Sequence, residues 1–93
     1  MKTNNHSKFT LGQTLITPNA QSTLHPADII LSLSRHAGGD WGLCDPDDWA
    51  ANEAAILNGL RIFSVYQDRL GSKFWIITEA DRTFTTVLLP EDY

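Results

Sequence analysis

Three absences limit what this chain can be. It has one cysteine, Cys44, so no internal disulfide can form and nothing indicates an oxidising compartment. Its apolar runs are much shorter than the roughly 20 residues that a membrane-spanning helix needs. The start, MKTNNHSKFT, lacks the apolar segment of a secretory signal. These absences lead us to expect a cytoplasmic protein that is not inserted in a membrane.

Basic residues are also missing from residues 37–60, because all seven lysines and arginines lie elsewhere. This window holds all of the following acids: Asp40, Asp45, Asp47, Asp48 and Glu53. With a net charge of −4 for the whole chain, direct nucleic-acid binding is not expected, since acids repel phosphate backbones. A basic surface on a protein partner would instead be attracted. Acids at helix starts, where the helix dipole favours them, are an alternative explanation.

Prolines and glycines predict the helices. Pro26 suits a first helical position, and apolar residues recur at helical spacing until Gly38, which predicts a helix over 26–37. The run Asp45-Pro46-Asp47-Asp48 has the cap, the proline and the acids of a helix start, and Gly59 ends that helix after residue 58. A short helical turn is predicted over residues 18–24.

Stretches rich in β-branched and aromatic residues predict four strands, at residues 9–17, 60–67, 73–79 and 83–89. Short polar links between the last three favour an antiparallel meander. We therefore predict a flexible N-terminus, residues 1–8, followed by one α+β domain, residues 9–93, in the order β-α-α-β-β-β. Helices are expected on one sheet face, and the N-terminal strand or a partner on part of the other. A homodimer through an unpaired sheet edge is compatible with this fold.

The stretch RHAGGDWGLCDPDDW, residues 35–49, concentrates the residues with chemical potential. His36, Asp40 and Cys44 are candidates for a small metal or ligand site, although no C-x₂-C or H-x₃-H pair accompanies them. Cys44 before a helix start, with His36 closing the previous helix, is the alternative of a small thiol enzyme. That alternative lacks a glycine-rich oxyanion motif and a third orienting group. We therefore expect no metal, no cofactor and no catalytic residue.

Trp41 lies between glycines in the tetrapeptide Gly39-Asp40-Trp41-Gly42. This loop position has two interpretations: the indole fills the seam between helices and sheet, or it projects outward to anchor a partner. Exposed aromatic residues beside acids are typical of protein-binding faces. The candidate partner-binding residues are therefore Asp40, Trp41, Asp45, Asp47, Asp48 and Glu53.

The segments FTLGQ, RHAGGDWG, DWAANEAAI and WIITEADRTFTTVLLPEDY resemble a family of small proteins carried by bacterial plasmids and integrative elements, over about residues 9–93. Members are often labelled plasmid-related protein or type I restriction endonuclease subunit M. The second label does not describe an activity here, since the chain lacks an N-P-P-[FY] methyltransferase motif. The resemblance implies an acidic, non-enzymatic accessory protein of a mobile element. It would bind a host nuclease or surveillance complex, as anti-restriction and anti-CRISPR proteins do.

Overall fold

The computed structural model describes residues 7–93, and most of the N-terminal segment expected to be flexible lies outside that range. The described residues form an α+β domain, as predicted. Its elements are β1 (Gln13–Ile16), α1 (Pro18–Thr23), α2 (Pro26–Ala37), α3 (Pro46–Asn58), β2 (Ile62–Gln67), β3 (Lys73–Thr78) and β4 (Phe84–Leu88), with a 3₁₀ turn at Pro90–Asp92. Within residues 7–93, none of the helices has the length and apolar character to cross a membrane.

The helices begin where the sequence places them, because each has a proline in its first turn and a capping side chain before it. Thr17 Oγ1 accepts from the Ala20 amide at 3.1 Å at the start of α1. Asp45 Oδ1 accepts from the Asp48 amide at 2.8 Å at the start of α3. These side chains satisfy amide groups that a helix start leaves without partners. The predicted bounds of α2 and α3 are confirmed.

The sheet is mixed, with strand order β1-β4-β3-β2. β2, β3 and β4 form the predicted antiparallel meander, whereas β1 pairs in parallel with β4. β1 is also shorter than predicted, because Gly12 adopts a left-handed φ of 63° against the backbone of Arg82 and Thr83. A side chain there would overlap with their carbonyl oxygens, so Gly12 permits a close approach directly before the first residue of β1.

Helices cover one face of the sheet. The main core cluster there contains Ala20, Leu24, Tyr66, Phe74, Ile76, Val87 and Leu89. A second cluster beneath α3 contains Trp41, Ala55 and Ile62. On the opposite face, Trp75 contacts the ring of Phe63 at 5.1 Å and that of Tyr93 at 5.6 Å between centroids. Tyr93, directly after the 3₁₀ turn, therefore covers part of this face. The expectation that the N-terminal strand lies over it is wrong, because β1 is an edge strand of the sheet itself.

Candidate functional site

Residues 38–45 form the loop between α2 and α3, and an ion pair closes it. Arg35 Nε donates to Asp40 Oδ2 at 2.8 Å, and Nη2 donates to Oδ1 at 3.3 Å. Asp40 Oδ1 also accepts from the Gly42 amide at 3.1 Å. The hydrogen bond from Arg35 holds the pKa of the Asp40 carboxyl below its usual range. The Asp40 carboxylate therefore has a structural role in shaping the loop, and its charge is paired with that of Arg35.

Trp41 fills the seam between the helices and the sheet. Its side chain is 0% exposed, and its indole Nε1 donates to Glu53 Oε2 at 2.8 Å. The ring stacks on Phe9 at 6.1 Å and meets the His36 ring edge-on at 5.8 Å between centroids. A partner cannot contact a side chain buried in this way. The inward interpretation is thus correct, and including Trp41 among the partner-binding residues was wrong.

The same loop covers the outer edge of β2. Leu43 N donates to Val65 O at 2.7 Å, and Val65 N donates to Trp41 O at 3.3 Å. From α3, the Asn52 carboxamide donates to Phe63 O at 2.6 Å and accepts from Phe63 N at 3.0 Å. Asn52 therefore replaces one peptide group of a neighbouring strand. Exposed edges promote unwanted pairing, and this edge is protected along Phe63–Val65.

Asn52 was missed by the sequence analysis. The sequence gives one signal, an asparagine in the middle of an alanine-rich helix, since asparagine is a poor helix former that usually bonds to nearby backbone groups. We expect Asn52→Asp to lower the free energy of unfolding by about 2 kcal/mol at pH 7, because a carboxylate cannot donate to Phe63 O. Urea unfolding measures this loss.

The matched control for this prediction is Asn58→Asp, at the exposed end of the same helix. It should cost less than about 1 kcal/mol, the size of a helix-dipole effect. Equal losses in the two variants would contradict the strand-mimicking role of Asn52.

His36 lies in a buried chain of hydrogen bonds. Its Nδ1 is 2.5 Å from Ser64 Oγ and its Nε2 is 2.8 Å from Thr78 Oγ1. Thr78 Oγ1 is 2.7 Å from Thr85 Oγ1, which donates to Leu11 O at 2.6 Å. A carbonyl oxygen only accepts, so the hydroxyl of Thr85 accepts from Thr78, and Thr78 in turn accepts from Nε2–H. His36 is therefore the neutral Nε2–H tautomer, and Ser64 donates to Nδ1.

This chain of bonds contains a serine–histidine pair, as many catalytic sites do, but solvent and substrate cannot reach it. Ser64, His36, Thr78 and Thr85 are all fully or almost fully buried on the helix-covered side of the sheet. Burial lowers the pKa of His36 to about 3, because desolvation disfavours the imidazolium. The arrangement satisfies polar groups in the core and gives the imidazole no path to a substrate.

The structure does not combine His36, Asp40 and Cys44 into one site. Both ring nitrogens of His36 have partners, Asp40 is bound to Arg35, and Cys44 Sγ donates to Phe63 O at 3.4 Å. Burial raises the pKa of the Cys44 thiol, the opposite of an activated nucleophile. In the part of the chain that the structure describes, no group of three His, Cys, Asp or Glu residues is placed to hold a metal. The geometry therefore favours neither the metal-site nor the thiol-enzyme alternative.

The remaining acids lie on the accessible side of α3. Asp45 caps the helix, and Asp47 and Asp48 are exposed in its first turn. Glu53 is also exposed and uses one oxygen to hold Trp41. Of the ion pairs among residues 7–93, none includes these four acids. Their charge is therefore available to a partner.

Exposed apolar side chains accompany these acids. Leu57 is 85% exposed, Leu43 is 56% exposed and Trp49 is 37% exposed. Positions 50, 53, 54 and 57 follow helical spacing and are all exposed, so they form one outward face of α3. We call the set Leu43, Asp47, Asp48, Trp49, Ala50, Glu53, Ala54 and Leu57 the α3 surface.

The fold and this surface define a small α+β domain with a hydrophobic core that contains one buried chain of hydrogen bonds, and with an acidic, partly apolar helix on its exterior. Comparison of the chain with protein-family models, with curated proteins and with solved structures found no match. The α3 surface is made of residues close together in the chain, and its exposed acids and apolar side chains make it a candidate binding site.

Proposed function

We propose that the protein is a non-enzymatic binding protein whose α3 surface docks onto a protein partner. The observation that supports this most directly is Leu57, whose side chain is 85% exposed one helical turn from the exposed Glu53 and Ala54. Exposed apolar groups that lie together, with polar groups around them, are typical of interaction sites.

The shape of the α3 surface favours a groove as the docking site on the partner. Ala50, Ala54 and Leu57 recur at the i, i+4, i+7 spacing by which a helix places anchors in an apolar groove. Asp47 lies one turn before this row, Asp48 is exposed in the same first turn, and neither forms an ion pair with a basic side chain within residues 7–93. The partner that fits has an apolar groove with lysine or arginine residues at its rim.

The resemblance of the sequence to proteins of plasmids and integrative elements favours a more specific form of this proposal. The partner would be a host nuclease or surveillance complex, and binding would block host defence. Such inhibitors usually act by binding, and a helix that presents acids and one large exposed leucine fits this mode without a catalytic group. The net charge of −4 is small for a mimic of DNA. The proposed mode is therefore helix docking.

Two changes to the α3 surface test the proposal. Leu57→Asp should weaken partner capture at least about tenfold, since removing an apolar anchor at a hot spot costs about 2 kcal/mol or more. The double variant Asp47→Lys, Asp48→Lys should slow association with a basic partner, because like charges now repel. Added salt, which slows association of the unmodified protein, should speed association of this variant. The measurement is affinity capture from host lysate, followed by binding kinetics with the captured protein.

The controls carry the same changes elsewhere on the surface. Leu70→Asp replaces a leucine that is 68% exposed, and Glu91→Lys reverses an exposed acid outside the α3 surface. Both should bind like the unmodified protein. The proposal fails if Leu57→Asp and Leu70→Asp bind the partner equally well.

A separate experiment tests the counter-defence form of the proposal. Expression of the protein should raise the efficiency with which unmodified plasmid transforms a restricting host, and Leu57→Asp should abolish this gain.

A further inference from the structure

The outer edge of β1 differs from the outer edge of β2. β1 is the last strand on its side of the sheet, and Gln13, Thr14 and Leu15 are exposed. The described residues place no loop or side-chain amide against it, in contrast to the loop and Asn52 that cover β2. Edge strands are usually protected by lysine, proline or a bulge. The sequence QTLI of β1 contains neither of these residues.

The backbone groups that point outward from β1 follow from its pairing with β4. Gln13 N donates to Thr83 O at 2.9 Å and Thr17 N donates to Val87 O at 3.0 Å. Backbone groups alternate in direction along a strand, so those of Thr14 and Ile16 point away from β4. Within residues 7–93, the backbone groups of Thr14 and Ile16 form no hydrogen bond outside the β1–β4 ladder. The edge therefore presents two amide groups and two carbonyl groups.

We propose that a second copy of this chain pairs with β1 in an antiparallel register centred on Leu15. In this register Thr14 lies opposite Ile16 of the second copy, and Ile16 lies opposite Thr14 of the second copy. Both are hydrogen-bonded pairs, so all the outward groups of the two strands are satisfied by four bonds. The two Leu15 side chains meet at the two-fold axis in a close, non-hydrogen-bonded pair.

Three properties of the edge favour a second copy as the occupant. First, β1 contains no charged residue, so pairing it with itself places no like charges opposite each other. Second, the two-fold axis lies perpendicular to the sheet, so each helix-covered face stays on the same side. Leu15, which is 40% exposed, then gains an apolar neighbour. Third, the covered edge of β2 ends the combined sheet after two copies, which gives a closed dimer and no fibre.

The test is the oligomeric state in solution, measured by sedimentation over a wide concentration range. The unmodified protein should show a concentration-dependent dimer. Leu15→Lys should abolish it, because two lysines would meet at the axis. Thr14→Pro should weaken it at least about tenfold, because it removes an outward amide and leaves the bonds to β4 in place. The matched control Leu70→Lys, at a leucine that is 68% exposed in the link between β2 and β3, should remain dimeric.

Cross-linking tests the register independently of these substitutions. In a Cys44→Ser background, Leu15→Cys should form an intermolecular disulfide under mild oxidation, because Leu15 lies opposite itself at a Cα distance suited to a disulfide. Gln13→Cys should cross-link poorly, since it lies opposite Thr17 of the second copy. A protein that is monomeric at every concentration would overturn the proposal. A dimer that survives both β1 substitutions, or equal cross-linking at the two positions, would overturn it as well.

Discussion

Replacing Trp41 with alanine is expected to lower the free energy of unfolding by about 3–5 kcal/mol, the usual cost of removing a large buried aromatic side chain. The indole is 0% exposed and joins the second core cluster to Phe9 and His36. A domain of this size has a total stability of about 5–15 kcal/mol, so the variant should lie close to its unfolding threshold. Urea unfolding followed by far-UV circular dichroism measures the change.

Two further variants separate the causes of that loss. Trp41→Phe keeps most of the apolar volume but removes the bond to Glu53, so it should cost less than Trp41→Ala by at least about 1 kcal/mol. Trp49→Ala removes an indole that is 37% exposed, and its cost should also be clearly smaller. If Trp41→Ala unfolds at the same urea concentration as Trp49→Ala, the seam is not the principal packing site that the structure indicates.

Local sequence signals predicted the helices well because the groups that start and end a helix are close together in the chain. Pro26 and Gly38 set the bounds of α2 in this way, as Pro46 and Gly59 do for α3. The parallel pairing of β1 with β4 joins Gln13 to Phe84, residues that no local pattern connects. Strand identity was therefore predictable, whereas the position and direction of β1 in the sheet were not.

The candidate site was likewise predictable only in part. Charge segregation is visible in the sequence, and the structure leaves the acids of α3 exposed, while their binding role stays a prediction. The ion pair of Asp40 depends on Arg35, and the buried position of Trp41 includes a hydrogen bond to Glu53. A glycine-flanked loop can turn an indole either inward or outward, so the local sequence did not decide between these positions. The partners of His36 lie in two different strands, 28 and 42 residues away, so its core role could not be inferred from its neighbours in the chain.

That core role makes the stability of the protein dependent on pH. The pKa of His36 is about 3 in the folded protein, below the value of about 6.5 in an unfolded chain. Between these values the unfolded state binds one more proton, so acid favours unfolding. The contribution is fully present above pH 6.5. It is lost at up to about 1.4 kcal/mol per pH unit as the pH falls toward 3.

The pH range of 6.5 to 4.5 isolates this effect, since most carboxyl groups titrate below it. Urea unfolding at several pH values in this range should give a steep loss of stability for the unmodified protein. His36→Gln should have a lower free energy of unfolding at pH 7, because glutamine does not reproduce both bonds of the imidazole. Its free energy of unfolding should, however, change far less with pH. His25→Asn replaces a histidine outside the buried hydrogen-bond chain, keeps a side chain that can cap α2, and should retain the steep dependence. Parallel profiles for the unmodified protein and His36→Gln would show that His36 is not held neutral in the core.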